Sequence, residues 1–231
     1  MGRNCIFEVL KVAPERLVEV YTHQTDELYE QLKAQNIPIK KRSKKELSDM
    51  VASDSHQSYV AAIKEINRPV VKEFLQSPRD KSLVLMLDSI FDPQNFGALL
   101  RAAECFGVDL VVYSKNRGTD VTPVVSKTSV GASELVPLSR VSNLAETAKA
   151  FQKAGYWVLA ADVGEKSQSL YNVQFPEKTL LIMGSEGTGI QPLLLKLCDL
   201  HVSIPMLGQI DSLNVSQATA VLLNAYRAQN R

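Results

Sequence analysis

The period of hydrophobic and polar positions changes repeatedly along the chain, and each change marks an element. Residues 4–10 predict a short helix, and residues 17–21 alternate like a strand. Leu28 and Leu32 sit at helical spacing within residues 26–34, and residues 37–40 predict a short strand beyond them. Residues 44–51 predict another helix, and residues 59–66 alternate again. Residues 76–81 are polar and contain Pro78, which predicts a linker.

Past that linker the pattern becomes more apolar. Residues 82–90 form a run expected of a strand covered on both faces. A helix over 95–106 follows, ended by Gly107, then a strand over 109–114 and a short helix over 122–129. A short strand over 134–140 precedes a helix that Ser142 would cap and Gly155 would stop. Strands over 156–161, 179–183 and 201–204 lead to a long helix over 213–228, with Ser212 placed as its cap and Asn214 in its first turn. Strands separated by helices imply an α/β fold, a parallel sheet with helices on both faces. The division expected is a small N-terminal α/β domain (1–76), a linker (77–81) and a larger domain (82–231).

Composition adds little to the class but narrows the setting. Hydrophobic residues make up 45% and charged residues 22%, a globular balance that excludes a disordered or coiled-coil chain. The 26 basic and 25 acidic side chains leave a net charge of +1, without the basic excess of many nucleic-acid binders. Locally, Lys40, Lys41, Arg42, Lys44 and Lys45 place five cations in six positions, either a solvated loop or a phosphate-contacting one. Glycine divides the chain more sharply: of 11, only Gly2 precedes residue 81. The widely spaced Cys5, Cys105 and Cys198 fit a reducing compartment. With no signal-peptide pattern and no run of 18 apolar residues, a cytoplasmic protein with no membrane contact is expected. The cysteines and His23, His56 and His201 lack metal-site spacing, so no metal is expected.

In open parallel sheets ligands sit at the carboxyl ends of strands, and three unusual segments lie there. The first runs from Asp88 to Arg101, with Asn95 and Arg101 six apart. Asn95 is either an ordinary helix cap or a site residue. Arg101, set among Leu99, Leu100, Ala102 and Ala103, is either a surface cation or a ligand for an anion. The second is Met183-Gly184-Ser185-Glu186-Gly187-Thr188-Gly189, which has neither the Rossmann nor the Walker A spacing. It is a tight turn or a loop whose amides face a ligand, and Glu186 would repel a polyphosphate. The third is Ile204-Pro205-Met206 followed by Ser212-Leu213-Asn214-Val215-Ser216, where Ser212 and Asn214 serve as caps or as site residues.

Together, Asn95-x-Gly97-x-x-x-Arg101, Met183-Gly184-Ser185-Glu186-Gly187 and Ile204-Pro205-Met206 with Ser212–Ser216 resemble the SpoU (TrmH) family of S-adenosylmethionine-dependent RNA 2′-O-ribose methyltransferases. Residues 2–10 look like the opening of the accessory RNA-binding domain of its ribosomal-RNA branch. His56-Gln57 looks like another landmark of that domain, with Ser58 where the family has glycine. The layout is similar to that of the bacterial enzymes that methylate a guanosine of 23S ribosomal RNA, and a tRNA substrate is the alternative.

The resemblance implies a catalytic domain whose C-terminal segment threads a trefoil knot and which works as a homodimer. Ala218, Val221, Leu222 and Ala225 would line either the dimer contact or the core. It implies that Gly184, Gly187, Ile204, Met206, Ser212 and Leu213 hold the cofactor, S-adenosylmethionine. Arg101, Asn95, Glu186 and Asn214 would be catalytic, and Lys40, Lys41, Arg42, Lys44 and Lys45 would bind RNA. Arg101 would act as general base or as a clamp on the RNA phosphate, the second being easier for a guanidinium. An inactive RNA-binding relative and a nucleotide-dependent oxidoreductase are the other classes. The missing G-x-G-x-x-G weighs against the latter.

Overall fold

The computed structural model describes residues 1–65 and 68–230, so Ile66, expected at the end of a strand, lies outside the described residues. The N-terminal part contains α1 (Arg3–Val12), β1 (Leu17–Thr22), α2 (Glu27–Ala34), β2 (Ile39–Lys41), α3 (Lys44–Val51) and β3 (Tyr59–Ile63). Its three strands form a sheet in the order β2-β1-β3, with β1 parallel to β2 and antiparallel to β3. Leu28 and Leu32, on one face of α2, bury against Ile6, Val9 and Leu10 of α1 and Val20 of β1. Ser43 and Glu46 close a capping box at the start of α3. A helix that periodicity did not disclose, α4 (Val71–Gln76), follows. It is too short to show a period, and Phe74 anchors it, its ring 6.1 Å from that of Phe151.

The rest is β4 (Ser82–Leu87), α5 (Pro93–Cys105), β5 (Leu110–Ser114), α6 (Pro123–Thr128), β6 (Leu138–Val141), α7 (Leu144–Lys153), β7 (Trp157–Ala161), β8 (Gln168–Ser169), β9 (Lys178–Met183), α8 (Pro192–Leu195), β10 (Leu200–Ser203) and α9 (Val215–Gln229). The seven strands lie in the order β6-β5-β4-β9-β7-β10-β8, every pairing parallel. Alternation along β4 divides the core. Leu83, Leu85 and Leu87 face α5 and α9, while Val84 and Met86 face α7 and α8. All six residues of β4 are buried, as the apolar run requires.

Several boundaries differ from the sequence expectation. β4 stops at Leu87 because Ser89 adopts a left-handed φ of +59°. The strand expected over 134–140 shortens to β6, since Glu134 ends a 3-10 turn and Pro137 has no N–H for the ladder. Asn143, not Ser142, caps α7, accepting from the N–H of Glu146 three residues on at 3.1 Å. Asn214, not Ser212, caps α9 through the N–H of Ser216 at 2.9 Å, while the Ser212 hydroxyl turns to Asp211. Along α9, Leu222 is buried with Ala218 and Ala225 packed on the same core, leaving Val221 39% exposed.

The two parts meet closely. The Arg16 guanidinium donates to the carboxylate of Glu134 at 2.8 Å and to its carbonyl at 2.7 Å, with both side chains 13% exposed. Gly131, at φ +91°, lies so near α1 that a Cβ there would come within 3.1 Å of the Cα of Cys5. Cys5 is buried, which raises its thiol pKa.

Candidate active site

Three chain segments converge at the carboxyl ends of the large sheet. Asp92 caps α5 by accepting from the N–H groups of Gln94 and Asn95 at 3.0 and 3.2 Å, and Pro93 fills the first helical position. That cap releases the Asn95 side chain, which the sequence left as a possible cap itself. Asn95 Nδ2 donates to Glu186 Oε1 at 3.3 Å, and its Oδ1 accepts from Asn214 Nδ2 at 2.9 Å. Asn214 Nδ2 also donates to Glu186 Oε1 at 2.6 Å. The N–H of Val215 completes the set at 3.2 Å, placing the Glu186 carboxylate at the amino end of α9, where the helix dipole favours a negative charge. Asn95, Glu186 and Asn214, far apart in sequence, are thus one hydrogen-bonded group.

Arg101 does not join it. Six residues beyond Asn95 on α5, it stands about 9 Å further along the axis and on another face. It is exposed and has no hydrogen bond or ion pair among the described residues. An unpaired guanidinium on a helix facing solvent is available to an external anion.

The loop bearing Glu186 is shaped by glycine. A Cβ on Gly184 would fall 2.2 Å from the carbonyl carbon of Gly189, so no larger residue fits. Ser185 and Gly189 exchange main-chain hydrogen bonds at 3.0 and 3.2 Å, and the Ser185 and Thr188 hydroxyls meet at 2.6 Å. Asp88, quoted in the first motif without a role, sits beneath. Its carboxylate accepts from the main-chain N–H of Gln191 at 2.8 Å, the Gln191 amide at 2.6 Å and the Ser89 hydroxyl at 3.0 Å. Its burial fits the run over 82–90, but the pattern gave no sign of its partner Gln191, 103 positions away.

Gly184, Gly187, Ile204, Met206, Ser212 and Leu213 lie in the segments that follow β9 and β10, two strands separated in the sheet by β7. Gly184, Ile204 and Met206 are half-buried, and the others are exposed. These six residues are neutral, offering amides, carbonyls and apolar side chains. With the Glu186 carboxylate beside Gly184 and Gly187, they suit a cationic sulfonium bearing an adenine and not a polyphosphate. No three or more His, Cys, Asp or Glu side chains gather as a metal site among the described residues.

On the N-terminal part the basic run is not uniform. Lys40 pairs with Glu19 at 2.8 Å, a hydrogen bond that holds the Glu19 carboxyl below its usual range and raises the Lys40 pKa. Arg42 lies 3.8 Å from Glu46. Lys41, Lys44 and Lys45 are exposed, with no ion-pair partner among the described residues. His56 is buried, accepting from the N–H of Ser58 at 3.0 Å and meeting the Ser48 hydroxyl at 3.2 Å. Ser58 keeps a left-handed φ of +64°, the conformation a glycine would hold without strain. No helix among the described residues is long and apolar enough to cross a membrane.

Residues 82–224 match the SpoU rRNA Methylase family, and residues 1–69 match the RNA 2′-O ribose methyltransferase substrate binding family. The chain is 37% identical over 232 residues to the 23S rRNA (guanosine-2′-O-)-methyltransferase RlmB of Haemophilus ducreyi, covering 96% of this chain and 94% of that one. Identity to the RlmB of Coxiella burnetii is 33%, over 99% of this chain and 94% of the relative. Among solved structures, a putative RNA methyltransferase of the TrmH family from Porphyromonas gingivalis superposes with a TM-score of 0.77 at 25% identity, covering 99% and 89% of the two chains. The SpoU methyltransferase AviRb from Streptomyces viridochromogenes, in complex with AdoMet, shares the fold with a TM-score of 0.79 at 20% identity, over 99% and 89%.

Proposed function

The chain belongs to the SpoU rRNA methylase family, and on that premise we propose that it transfers a methyl group from S-adenosylmethionine to the 2′-hydroxyl of a guanosine in 23S ribosomal RNA. The observation that carries this reading is the Asn95–Glu186–Asn214 group, drawn from three segments to the sheet end beside Gly184. When bound, the cofactor supplies an electrophilic methyl on a sulfonium, so no metal is required. Gly184, Gly187, Ile204, Met206, Ser212 and Leu213 would hold it, chiefly through main-chain groups.

The protein's task is then alignment, which by itself can supply a large share of the acceleration. Asn95 and Asn214, locked by Glu186, orient the ribose. Arg101 clamps the adjacent phosphate, and its charge favours the hydroxyl oxygen as that oxygen takes the methyl group and its proton passes to water. Lys41, Lys44 and Lys45 contact RNA phosphate at a distance from the reacting ribose, with Lys40 and Arg42 supporting their loop. The active form is a cytoplasmic homodimer joined through the larger domain (82–231), distinct from the RNA-binding part (1–76) and linker (77–81). Leu207, Ile210 and Leu213, 99%, 77% and 38% exposed beside the site, support a partner surface there. The resemblance further implies that the segments after β9 and β10 form a trefoil knot.

The test is incubation with methyl-labelled S-adenosylmethionine and unmodified 23S rRNA, followed by mapping of 2′-O-methyl sites. Label in one guanosine of 23S rRNA is the expected result. Label confined to tRNA would overturn the rRNA assignment. Absence of both label and cofactor binding would overturn the methyltransferase reading.

A further inference from the structure

The buried carboxylate of Asp88 has no ion-pair partner among the described residues, and it is fully shielded from water. A charge there is costly unless it is well hydrogen-bonded. It receives three neutral donors, two of them from Gln191. An apolar residue would fill the space at less cost, so the geometry this carboxylate imposes is its distinguishing contribution.

That geometry concerns both stems of the loop that carries Glu186. The main-chain N–H of Asp88 donates to the carbonyl of Met183 at 2.9 Å, where the loop leaves β9. Its carboxylate grips the N–H and the side-chain amide of Gln191, where the loop ends. Between these stems Gly184 rests flush on Gly189 and Ile190, so the loop has little freedom of its own. On its other side Asp88 precedes Ser89, whose left-handed turn sends the chain toward Asp92 and Asn95. One residue therefore connects two of the three segments that meet at the active site.

We propose that Asp88 is a positioning residue for methyl transfer, setting the height of Glu186 against Asn95 and Asn214 through Gln191. This rests on the reading of those three residues as the methyl-transfer site. The test removes the acceptors and then keeps them. Asp88→Leu takes every acceptor from the Gln191 stem. Asp88→Asn keeps the shape: its oxygen accepts the main-chain N–H, and its NH2 donates to the Gln191 side chain once that amide turns over.

Asp88→Leu is expected to lower kcat on 23S rRNA by about 100-fold, the scale of a misplacement near 1 Å. The amides of Ser185 and Gly189 should exchange hydrogen faster. Asp88→Asn should keep most of the rate and the protection. Wild-type kcat and exchange in Asp88→Leu, or Asp88→Asn as impaired as Asp88→Leu, would overturn the proposal. So would a lowered Tm with kcat per folded molecule intact, which is the mark of a merely structural contact. If the wild-type protein transfers no methyl group, the methyltransferase reading falls, and the exchange rates of the two variants decide on Asp88 independently.

Discussion

Arg101 touches nothing whose loss would unsettle the fold. Arg101→Ala should therefore change stability by no more than about 0.5 kcal/mol and abolish methylation while S-adenosylmethionine still binds by calorimetric titration. Equal loss of binding and transfer would give Arg101 a structural role instead. Asp26 presents the opposite case, a carboxylate tied into its own domain by Tyr59, Arg3 and the N–H of Tyr29. Burial acts to raise its pKa, but the hydrogen bonds from Tyr59 and Arg3 outweigh it, and the net shift is downward. A depressed folded-state pKa contributes stability that is present above the unfolded value, about 3.9, and lost as pH falls through the folded one. Urea unfolding from pH 6 to pH 2 should show that loss, and Asp26→Asn should flatten it. A slope unchanged in the variant would refute the assignment. At this scale the sequence disclosed Asn95, Glu186 and Asn214 because their motifs are local. It did not disclose the hydrogen bonds between them, which span 28 to 119 positions.

Helix starts show how fine the local signal is. For α7 the neighbours Ser142 and Asn143 are both good caps, and spacing to Glu146 separates them, since a cap bonds two or three residues on. Asn143→Ala should cost about 1 kcal/mol of unfolding free energy and Ser142→Ala close to nothing, as measured by chemical denaturation. The reverse order would contradict the capping geometry. For α9 the same shift changes function as well as boundary. Asn214 caps the helix with its oxygen and grips Glu186 with its nitrogen, so one amide serves both. Elements with a full turn or more of periodic burial were legible, as with α2, α3 and the run of β4. The two-residue β8 and four-residue α8 were not, because neither is long enough to repeat.

For the molecule as a whole, alternation of strands and helices revealed the parallel sheet, but the order of its strands depends on contacts that no local window contains. Net charge was similarly blind to the basic loop. If three unpaired lysines there meet phosphate, RNA affinity must fall with salt. Replacing Lys41, Lys44 and Lys45 with Gln should reduce the slope of log K against log salt by about 2 to 3, at roughly 0.7 to 0.9 per cation. A slope unaffected by the change would remove that loop from the RNA contact. The close seating of the N-terminal part on the larger one carries a different consequence. The backbone of Cys5 faces Gly131, and its thiol is buried with a raised pKa, whereas Cys105 lies open to solvent. Cys198, half-buried, is pushed up to about 12, first by desolvation. Only thiolates react with alkylating reagents. Cys105 should label at once, while Cys5 reacts only when the two parts come apart. The chain thus contains a built-in stopwatch for their separation, readable by mass spectrometry without adding any probe.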